Sequence, residues 1–534
     1  MPTIKDETYE LLRQLGLTTI VGNPGSTEEP FLADFPDDFE YVLALQETNV
    51  VAIADGLSQS LRKPVVANIH TGAGLGNAMG AVLTAYQNKT PLIITAGQQT
   101  RDMLLLEPLL TNIDAAQMPR PWVKWSYEPS RAEDVPAAFM RALAVAMQPP
   151  MGPVFLSLPL DDWNKEATFP AVVRSVATRQ AGDPERVSKF ANTINDSRNP
   201  VVLYGADLAR SQAWEAGVLF AEKLGAPVWT TPFCERTPFP ETHKQYAGVL
   251  PAAIGPLSSK LEGHDLVIVV GAPVFRYYPY VSGDYLPAEA RLLQVTDDPD
   301  MAGKAAVGDS LLCDAKLFLD AVLPQIDKRP LKSSAPLRAA PEPASLEELP
   351  LTPPAVMSTL ASLMPQDYVL VEECPSMVAE MQNRLRIDKP DCFYTFASGG
   401  LGWGLPAAVG LALGERESGR NRPVVCLMGD GSFQYSIQGL YTSAQQNTHL
   451  IYVVLQNHEY GILKEFADLE HTPNVPGLDL PGIDIASLAR GYGPKTTAVS
   501  NTGELEAAFR QALDYKGASV IVVEMSTKLG SLLG

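Results

Sequence analysis

The stretch Gly429-Asp430-Gly431-Ser432 decides the fold of the last third of the chain. It follows an apolar run at 423–428 (PVVCLM), typical of a buried strand, and it precedes a segment at 436–446 that is predicted to be a helix. A second apolar run at 450–455 (LIYVVL) ends just before Asn457. Strand, helix and strand form a βαβ unit, whose crossover brings both strand ends to the same edge of a parallel sheet.

These two strand ends predict a metal and phosphate site. Asp430 offers a carboxylate and Asn457 offers an amide oxygen. Both are hard ligands that suit Mg²⁺, an ion that keeps open positions for phosphate oxygens. Gly429 and Gly431 let backbone N–H groups approach the same anion, and the helix that follows offers its N-terminus.

Apolar runs alternate with helical segments in the first third of the chain as well. They lie at residues 18–21, 41–45, 64–69 and 91–96. Such strands indicate a parallel sheet covered on both faces, with a ligand expected at the carboxyl ends of its strands. Ser26, Glu47 and His70 all follow strand ends, and a helix is predicted over 49–61. The glycines at 72–76 lack the GxGxxG spacing and are expected to form a turn between strand and helix.

The middle third repeats the pattern on a smaller scale. Its apolar runs lie at 200–204, 226–230, 266–270 and 291–295. They predict a Rossmann-like sheet, but the glycine-containing turns lack GxGxxG, so we expect a domain that packs without binding a dinucleotide. The predicted fold class is therefore α/β, with three doubly wound domains built on parallel sheets.

Length and composition agree with three domains. A chain of 534 residues is too long for one core. We predict an N-terminal domain over 1–180, a central domain over 181–327 and a C-terminal domain over 355–534. The segment 328–354, rich in Lys, Pro, Ser, Ala and Glu, is interpreted as a linker that crosses the surface.

Charge and cysteine content exclude several classes of protein. A net charge of −20 argues against a nucleic-acid partner. No run of 18 or more apolar residues is present, so no membrane span is expected, and the first residues do not resemble a secretion signal. The five cysteines are odd in number and lack CxxC spacing, which indicates reduced residues and a cytoplasmic location.

The Gly-Asp-Gly stretch followed by Asn457 resembles the thiamine diphosphate motif of the 2-oxo acid decarboxylase and acetohydroxyacid synthase superfamily. Within that superfamily, six further segments resemble the benzoylformate decarboxylase family. They are residues 22–26, 44–47, 95–100, 123–129, 271–276 and 474–479. The resemblance implies pyrimidine-binding, central and diphosphate-binding domains and active sites built between two subunits. It also implies thiamine diphosphate and Mg²⁺ as cofactors, and a homo-oligomer that is at least a dimer and is expected to be a tetramer.

The resemblance assigns the chemistry to three residues. Glu47 matches the glutamate that hydrogen-bonds N1′ of the cofactor pyrimidine and promotes its 4′-imino form, a positioned acid–base role. His70 matches a histidine that faces the substrate, where an imidazole can hold a carboxylate when charged and pass a proton afterwards. Ser26 matches a serine whose hydroxyl donates to the substrate carboxylate.

The resemblance also assigns residues that hold the cofactor. Asp430, Asn457 and Glu459 match the metal site. Leu401 matches the apolar residue that supports the bent form of the cofactor, and Gly399 matches a backbone contact to the aminopyrimidine. The remaining matched positions are Asn23, Pro24, Gly25, Ser376, Gly431, Ser432, Tyr460, Gly461 and Ile462. His458 has no second histidine or cysteine at ligand spacing and is interpreted as flanking the metal site.

Three positions depart from the family pattern. Tyr278 stands where the family has its second active-site histidine. A phenol is a weaker acid than an imidazolium at neutral pH, although it can donate a hydrogen bond, which leaves the proton transfer assigned to that histidine open. Pro375 occupies a position where a hydroxyl residue is expected. Ile462 replaces a small residue and is expected to narrow the substrate pocket.

The function implied is decarboxylation of a small-molecule 2-oxo acid to an aldehyde, with benzoylformate and benzaldehyde as the leading pair. Two alternatives stay open at this point. Tyr278 and Ile462 fit a shifted specificity, such as an aliphatic 2-oxo acid, a carboligase or an aldehyde lyase. The other alternative is a cofactor-binding subunit without activity, against which the intact Glu47 and Asp430 argue.

Overall fold

The computed structural model of the chain describes residues 1–331 and 336–527. Three six-stranded sheets follow one another along the chain, and all paired strands within them are parallel. Helices cover both faces of each sheet, so the predicted α/β class with three doubly wound units is confirmed. None of the helices described is long and apolar enough to cross a bilayer.

The first sheet has the strand order β2-β1-β3-β4-β6-β5. Its strands are β1 (Thr19–Gly22), β2 (Glu40–Leu43), β3 (Val65–Ile69), β4 (Leu92–Gln98), β5 (Ser126–Tyr127) and β6 (Val154–Pro159), and its helices are α1 (Ile4–Gln14), α2 (Glu29–Leu32), α3 (Glu47–Leu61), α4 (Thr71–Gln87) and α5 (Val135–Met147). The central strands β3, β4 and β6 are buried along their whole length. Helices α1 and α5 share a core on one face, whereas α3 and α4 belong to the core on the other.

The second sheet has the order β12-β11-β10-β7-β8-β9. Its elements are α6 (Pro184–Asp196), β7 (Pro200–Tyr204), α7 (Ala206–Arg210), α8 (Trp214–Leu224), β8 (Val228–Thr230), β9 (Tyr246–Val249), α9 (Ile254–Lys260), β10 (Leu266–Val270), β11 (Arg291–Thr296), α10 (Pro299–Gly303), β12 (Asp309–Leu312) and α11 (Ala315–Val322). This order is that of a small Rossmann-like sheet, as predicted.

Buried ion pairs fill the carboxyl edge of the second sheet. Asp207 accepts hydrogen bonds from Lys89 (2.7 Å) and Arg210 (2.7 Å). Glu235 pairs with Arg210 at 2.7 Å and with Arg276 at 2.8 Å. The cavity between these side chains leaves room of only about 10 Å³, roughly one water molecule. Because Lys89 belongs to the first domain, the same cluster ties the first two domains together.

The third sheet has the order β14-β13-β15-β16-β18-β17. Its elements are α12 (Pro353–Leu363), β13 (Val369–Glu373), α13 (Val378–Arg384), β14 (Phe393–Tyr394), α14 (Gly404–Glu417), β15 (Val424–Gly429), α15 (Asp430–Gln434), α16 (Gly439–Gln445), β16 (Leu450–Gln456), α17 (Gly461–Leu469), α18 (Ile485–Gly491), β17 (Lys495–Val499), α19 (Thr502–Tyr515) and β18 (Ser519–Glu524). β15 and β16 are parallel neighbours, so the segments that follow Gly429 and Gln456 start from one edge of the sheet.

Helices α3 and α14 join the first and third sheets in one hydrophobic core. They cross at glycines: a Cβ added at Gly56 would lie 2.1 Å from the carbonyl oxygen of Ala407, and one added at Gly410 would lie 2.0 Å from that of Ile53. Beside this crossing, the Trp403 indole N–H donates to the buried Asp55 at 2.7 Å. The two backbones therefore approach more closely than any side chain would allow.

Three local predictions differ from the structure. The helix predicted over 436–446 is α16, which begins three residues later at Gly439, and an additional short helix, α15, begins directly at Asp430. The helix predicted from residue 49 begins at Glu47, because the Gln46 side chain accepts the Thr48 N–H (2.7 Å) and caps it two residues earlier. The glycines at 72–76 form no turn and lie inside α4, where Gly74 allows the helix to pack closely against Glu47.

The segment predicted as a linker, 328–354, includes residues 332–335, and the predicted C-terminal domain includes 528–534; both stretches lie outside the described residues. The described part of 328–354 has no helix before α12, which begins at Pro353. It runs along the third domain, where Arg338 donates to the carbonyl oxygen of Gln382 (2.6 Å) and Glu342 accepts from Arg384 (2.9 Å).

Candidate active site

Glu47 lies at the first residue of α3, just beyond the carboxyl end of β2, and its side chain is buried. Two amide groups hold its carboxylate: Asn23 donates to Oε1 and Asn77 donates to Oε2, both at 3.1 Å. A Cβ added at Gly74 would lie 3.0 Å from Cγ of Glu47. The carboxylate is thus fixed by neutral donors, and each oxygen keeps a lone pair for a further partner.

His70 is the N-cap residue of α4 and contacts a carboxylate that sequence reasoning missed. Its Nδ1 lies 2.7 Å from Oε2 of Glu28, whose side chain is 1% exposed. Glu28 also accepts hydrogen bonds from the backbone N–H groups of Gly25 (3.1 Å) and Gly97 (2.7 Å) and from the Thr27 hydroxyl (2.9 Å). The carboxylate places the proton on Nδ1 and leaves Nε2 for another partner.

The loop 22–28 brings the predicted residues of this half together. Asn23 reaches Glu47, and a Cβ added at Gly25 would lie 2.0 Å from Nδ1 of His70, so only glycine fits there. Pro24 and Ser26 are exposed in the same loop. In the sequence, Glu28 is only an acidic residue two positions after Ser26. Such a residue is ordinarily solvated and part of a loop.

Asp430 and Asn457 meet at the edge shared by β15 and β16. Asp430 accepts the N–H of Gly431 at Oδ1 (2.9 Å) and of His458 at Oδ2 (2.7 Å). Burial raises the pKa of the Asp430 carboxyl above its ordinary value, and these two N–H groups oppose the rise. The Asp430 carboxylate is therefore poorly solvated, and its negative charge is only partly compensated. Both properties favour a cation beside it.

The Asn457 side chain shows what fits beside Asp430. Its amide oxygen lies 3.2 Å from Oδ1 of Asp430 and 3.0 Å from the carbonyl oxygen of Glu459, with only a long 3.4 Å contact from the Glu459 N–H. Three oxygens that converge in this way repel one another unless a cation lies between them. Turning the amide by 180° would instead let its nitrogen donate to both oxygens.

This oxygen set fits Mg²⁺ and not zinc. One carboxylate, one amide and one carbonyl are hard ligands that leave positions open for phosphate. Among the residues the structure describes, no group of three or more His, Cys, Asp and Glu side chains could hold a metal. The Glu459 carboxylate pairs with Lys464, and the Glu459 carbonyl oxygen faces the Asn457 amide. The His458 ring contacts Glu524 at 3.0 Å and likewise flanks the site.

The predicted diphosphate residues surround the same edge. A Cβ added at Gly461 would lie 3.0 Å from Oγ of Ser376 and 3.1 Å from the Asn457 amide, so these groups are adjacent. A Cβ added at Gly431 would lie 2.5 Å from the Tyr460 ring. Ser432 is buried in the first turn of α15, close to Gly429.

Leu401, the apolar residue predicted to support the bent form of the cofactor, lies half-buried in a glycine-rich turn. Gly399 and Gly402 on either side of it have φ values of +73° and +104°, a backbone region that favours glycine. A Cβ added at Gly399 would meet no atom within 4 Å, so the turn leaves open space beside its backbone.

Tyr278 lies on the half of the site that contains Asp430. Its side chain is 61% exposed, and its ring packs 4.7 Å from that of Phe466 on α17. Ile462 lies one turn before Phe466 on the same helix and therefore shares its face. Sequence reasoning missed Phe466, because an aromatic residue on an amphipathic helix is ordinarily part of the core.

Different domains hold the two halves of the site. Glu47 and His70 are held by residues of the first domain, and Asp430 and Asn457 by residues of the third. Over residues 1–331 and 336–527, no hydrogen bond joins one pair to the other.

Three family models match the chain in order. The thiamine pyrophosphate enzyme N-terminal TPP binding domain matches residues 2–118, the central domain matches 187–322, and the C-terminal TPP binding domain matches 374–523. Each model matches a different one of the three domains, and β5, β6 and β13 lie outside the matched ranges.

Similar proteins narrow the family. The chain is 45% identical to a benzoylformate decarboxylase of Pseudomonas aeruginosa, over 99% of each chain. Its sequence is 63% identical to that of the benzoylformate decarboxylase from Polynucleobacter necessarius. The TM-score to that crystal structure is 0.98, over 99% of this chain and 100% of that one. A thiamine diphosphate-dependent 4-hydroxybenzoylformate decarboxylase of Rhodococcus jostii RHA1 is 40% identical, with a TM-score of 0.95 over 98% and 99% of the two chains. The chain belongs to the benzoylformate decarboxylase family of thiamine diphosphate-dependent enzymes.

Proposed function

We propose that this protein is a thiamine diphosphate- and Mg²⁺-dependent carboxy-lyase that converts benzoylformate to benzaldehyde and CO₂. The observation that carries the proposal is the first-domain half-site: a buried Glu47 carboxylate held only by amides, beside a histidine whose Nδ1 faces Glu28. Its counterpart is the oxygen cluster around Asp430 in the third domain.

The residues around Asp430 would hold the cofactor. The metal would take Oδ1 of Asp430, the Asn457 amide oxygen and the Glu459 carbonyl, with Ser376, Ser432, Gly431 and Gly461 around the diphosphate. Gly399 and Leu401 would face the pyrimidine and thiazolium rings, and Asn23, Pro24, Gly25, Tyr460 and Ile462 would complete the contacts. When bound, thiamine diphosphate supplies the carbon nucleophile and accepts the electron pair as CO₂ leaves.

Side chains of the protein itself would exchange protons with the cofactor and bind the substrate carboxylate. Glu47 would exchange a proton with the pyrimidine N1′ through a carboxylate oxygen that its amide donors leave free. His70 would present Nε2 to the substrate carboxylate, because Glu28 occupies Nδ1. The exposed Ser26 hydroxyl would donate a hydrogen bond to the same carboxylate before CO₂ departs.

The pocket wall favours an aryl substrate. Tyr278 and Phe466 form an aromatic surface on the Asp430 side, and Ile462 lies one turn away. An aryl 2-oxo acid would stack against such rings. The second candidate, an aliphatic 2-oxo acid, is favoured only by the added volume of Ile462.

We further propose that each active site forms between two copies of the chain, in a dimer that pairs into a tetramer. In the described part of one chain no hydrogen bond joins the two half-sites, which supports a site completed by a partner chain. The segment that follows β4 also exposes large apolar side chains, which a second copy would cover. They are Met103, Leu105, Leu106, Leu109, Leu110, Ile113 and Met118. Five free cysteines support a reducing, cytoplasmic location.

The test is a decarboxylation profile of the protein loaded with thiamine diphosphate and Mg²⁺. Benzoylformate, 4-hydroxybenzoylformate, pyruvate and a branched aliphatic 2-oxo acid are compared for release of CO₂ and aldehyde. We expect kcat/KM to be highest for an aryl substrate, and Glu47→Gln to reduce turnover about 10²- to 10⁴-fold while the protein stays folded. Wild-type turnover in Glu47→Gln, or a clear preference for an aliphatic acid, would contradict the proposal.

A further inference from the structure

A fully buried carboxyl group lies close to the candidate active site and has no role in the chemistry proposed above. Glu373 is the last residue of β13 and is 0% exposed. Burial raises its pKa above the ordinary value, and backbone N–H groups, which favour the charged carboxylate, oppose the rise. Burying a carboxyl without a cationic partner is costly, so the contacts that compensate it deserve an explanation.

Those contacts are all to one turn. Oε1 of Glu373 accepts the N–H of Gly402 at 2.7 Å, and Oε2 accepts the N–H of Gly404. Gly404 is the first residue of α14, so the carboxylate satisfies a donor that the helix itself leaves free. A Cβ added at Gly404 would lie 2.9 Å from both Cβ and Oε2 of Glu373. The turn therefore packs directly against the Glu373 side chain.

The turn held in this way carries Leu401. Gly402, the next residue, donates its N–H to Glu373 and has a φ of +104°. The backbone conformation around Leu401 is therefore restricted. The end of β13 also leads, three residues on, to Ser376, which lies beside Gly461. One strand end thus connects to Ser376 and, through Glu373, to the turn that carries Leu401.

We propose that Glu373 is a positioning residue of the cofactor site: its carboxylate fixes the 399–404 turn and thereby holds Leu401 against the cofactor. The inference rests on the proposed function, which assigns Leu401 and Gly399 to the cofactor. A residue that only stabilised α14 would affect folding and leave cofactor affinity unchanged, whereas a positioning residue changes affinity in a folded protein.

The chain offers a matched control in the preceding residue. Glu372 is also buried, but successive side chains of a strand point to opposite faces, and its carboxylate accepts from the Thr395 hydroxyl (2.7 Å) and the Cys374 N–H (2.6 Å). Glu373→Gln and Glu372→Gln are the same near-isosteric change at adjacent positions. In Glu373→Gln the amide NH₂ must face one of the two N–H donors of the turn, so one hydrogen bond is lost.

Calorimetric titration of the apoprotein with thiamine diphosphate in the presence of Mg²⁺ tests the proposal. A hydrogen bond to a charged group corresponds to about a 10- to 100-fold change in an equilibrium constant, so we expect the Kd of Glu373→Gln to rise by that factor. Glu372→Gln should stay within about threefold of wild type on the same scale. Unchanged affinity in a folded Glu373→Gln protein overturns the proposal. If wild type itself binds no cofactor, the proposed function fails instead.

A double-mutant cycle with Leu401→Ala separates positioning from an independent effect. If Glu373 acts through Leu401, the loss of affinity in the double variant is smaller than the two single losses combined. Additive losses would show that Glu373 does not work through this side chain and would overturn the inference. Should Glu373→Gln not fold, Glu373→Asp keeps the charge but shortens the reach, and an unchanged Kd in that variant overturns it as well.

Discussion

Replacing Gly56 by alanine tests the close crossing of α3 and α14. In an ordinary solvent-exposed helix this change is favourable, because alanine has the better helix propensity by about 1 kcal/mol. At position 56, however, the new Cβ would lie 2.1 Å from the carbonyl oxygen of Ala407. The atom it meets belongs to the backbone, so no rotamer change can relieve the contact.

The expected magnitude follows from that distance. An ordinary contact begins at 3.4 Å. The two helices therefore have to separate by about 1.3 Å, and over such a gap neighbouring side chains lose much of their dispersion energy. Overpacking of this kind costs about 3 kcal/mol at the upper end of its usual range. After the gain in propensity, we expect a net destabilisation of about 2 kcal/mol, or a fall of about 4–8 °C in melting temperature for a domain of this size.

Gly80 on α4 provides the matched control, because a Cβ added there meets nothing within 4 Å. Gly80→Ala should raise the melting temperature slightly or leave it unchanged. Scanning fluorimetry at one fixed scan rate compares the two variants with wild type, since unfolding of a large chain is often irreversible. The reasoning is refuted if Gly56→Ala is as stable as Gly80→Ala.

Three further variants probe the site. Asp430→Ala should weaken thiamine diphosphate binding and abolish its Mg²⁺ dependence, because the oxygen cluster loses its carboxylate. Calorimetry measures both effects, and an unchanged affinity would contradict the metal assignment. Tyr278→His should raise kcat/KM on benzoylformate, toward the low end of the 10²- to 10⁴-fold that a positioned acid contributes, and no gain would show that a histidine is dispensable there. Glu28→Gln should lower kcat/KM about 10- to 100-fold in a protein that stays folded, because His70 loses a charged partner; wild-type kinetics would refute that role.

Strand adjacency made half of the site predictable. Two apolar runs separated by a helix-length segment had to be parallel neighbours, and Asp430 and Asn457 follow their ends, so their approach to within 3.2 Å could be foreseen. The same reasoning brought Glu47 and His70 to one edge of the first sheet. Such arguments use only the direction and order of strands, which hydrophobic periodicity reveals.

Side-chain partners were less accessible to sequence reasoning. Glu28 and Glu373 look like ordinary acidic residues, and only burial, at 1% and 0% exposure, marks them as groups that need specific donors. Most of those donors are backbone N–H groups, which every residue except proline carries and no pattern distinguishes. Phe466 was missed for a related reason, since its partner Tyr278 lies in another domain.

The filled edge of the second sheet has a consequence for how this enzyme can be controlled. In doubly wound domains this edge is where nucleotides bind. Here a nucleotide would have to displace Arg210 and Arg276 from Glu235 and expose buried charges, at a cost of about 3–5 kcal/mol for each broken pair. We therefore expect that adenylate and flavin ligands do not bind at this edge of the central domain and do not signal metabolic state to the enzyme through it.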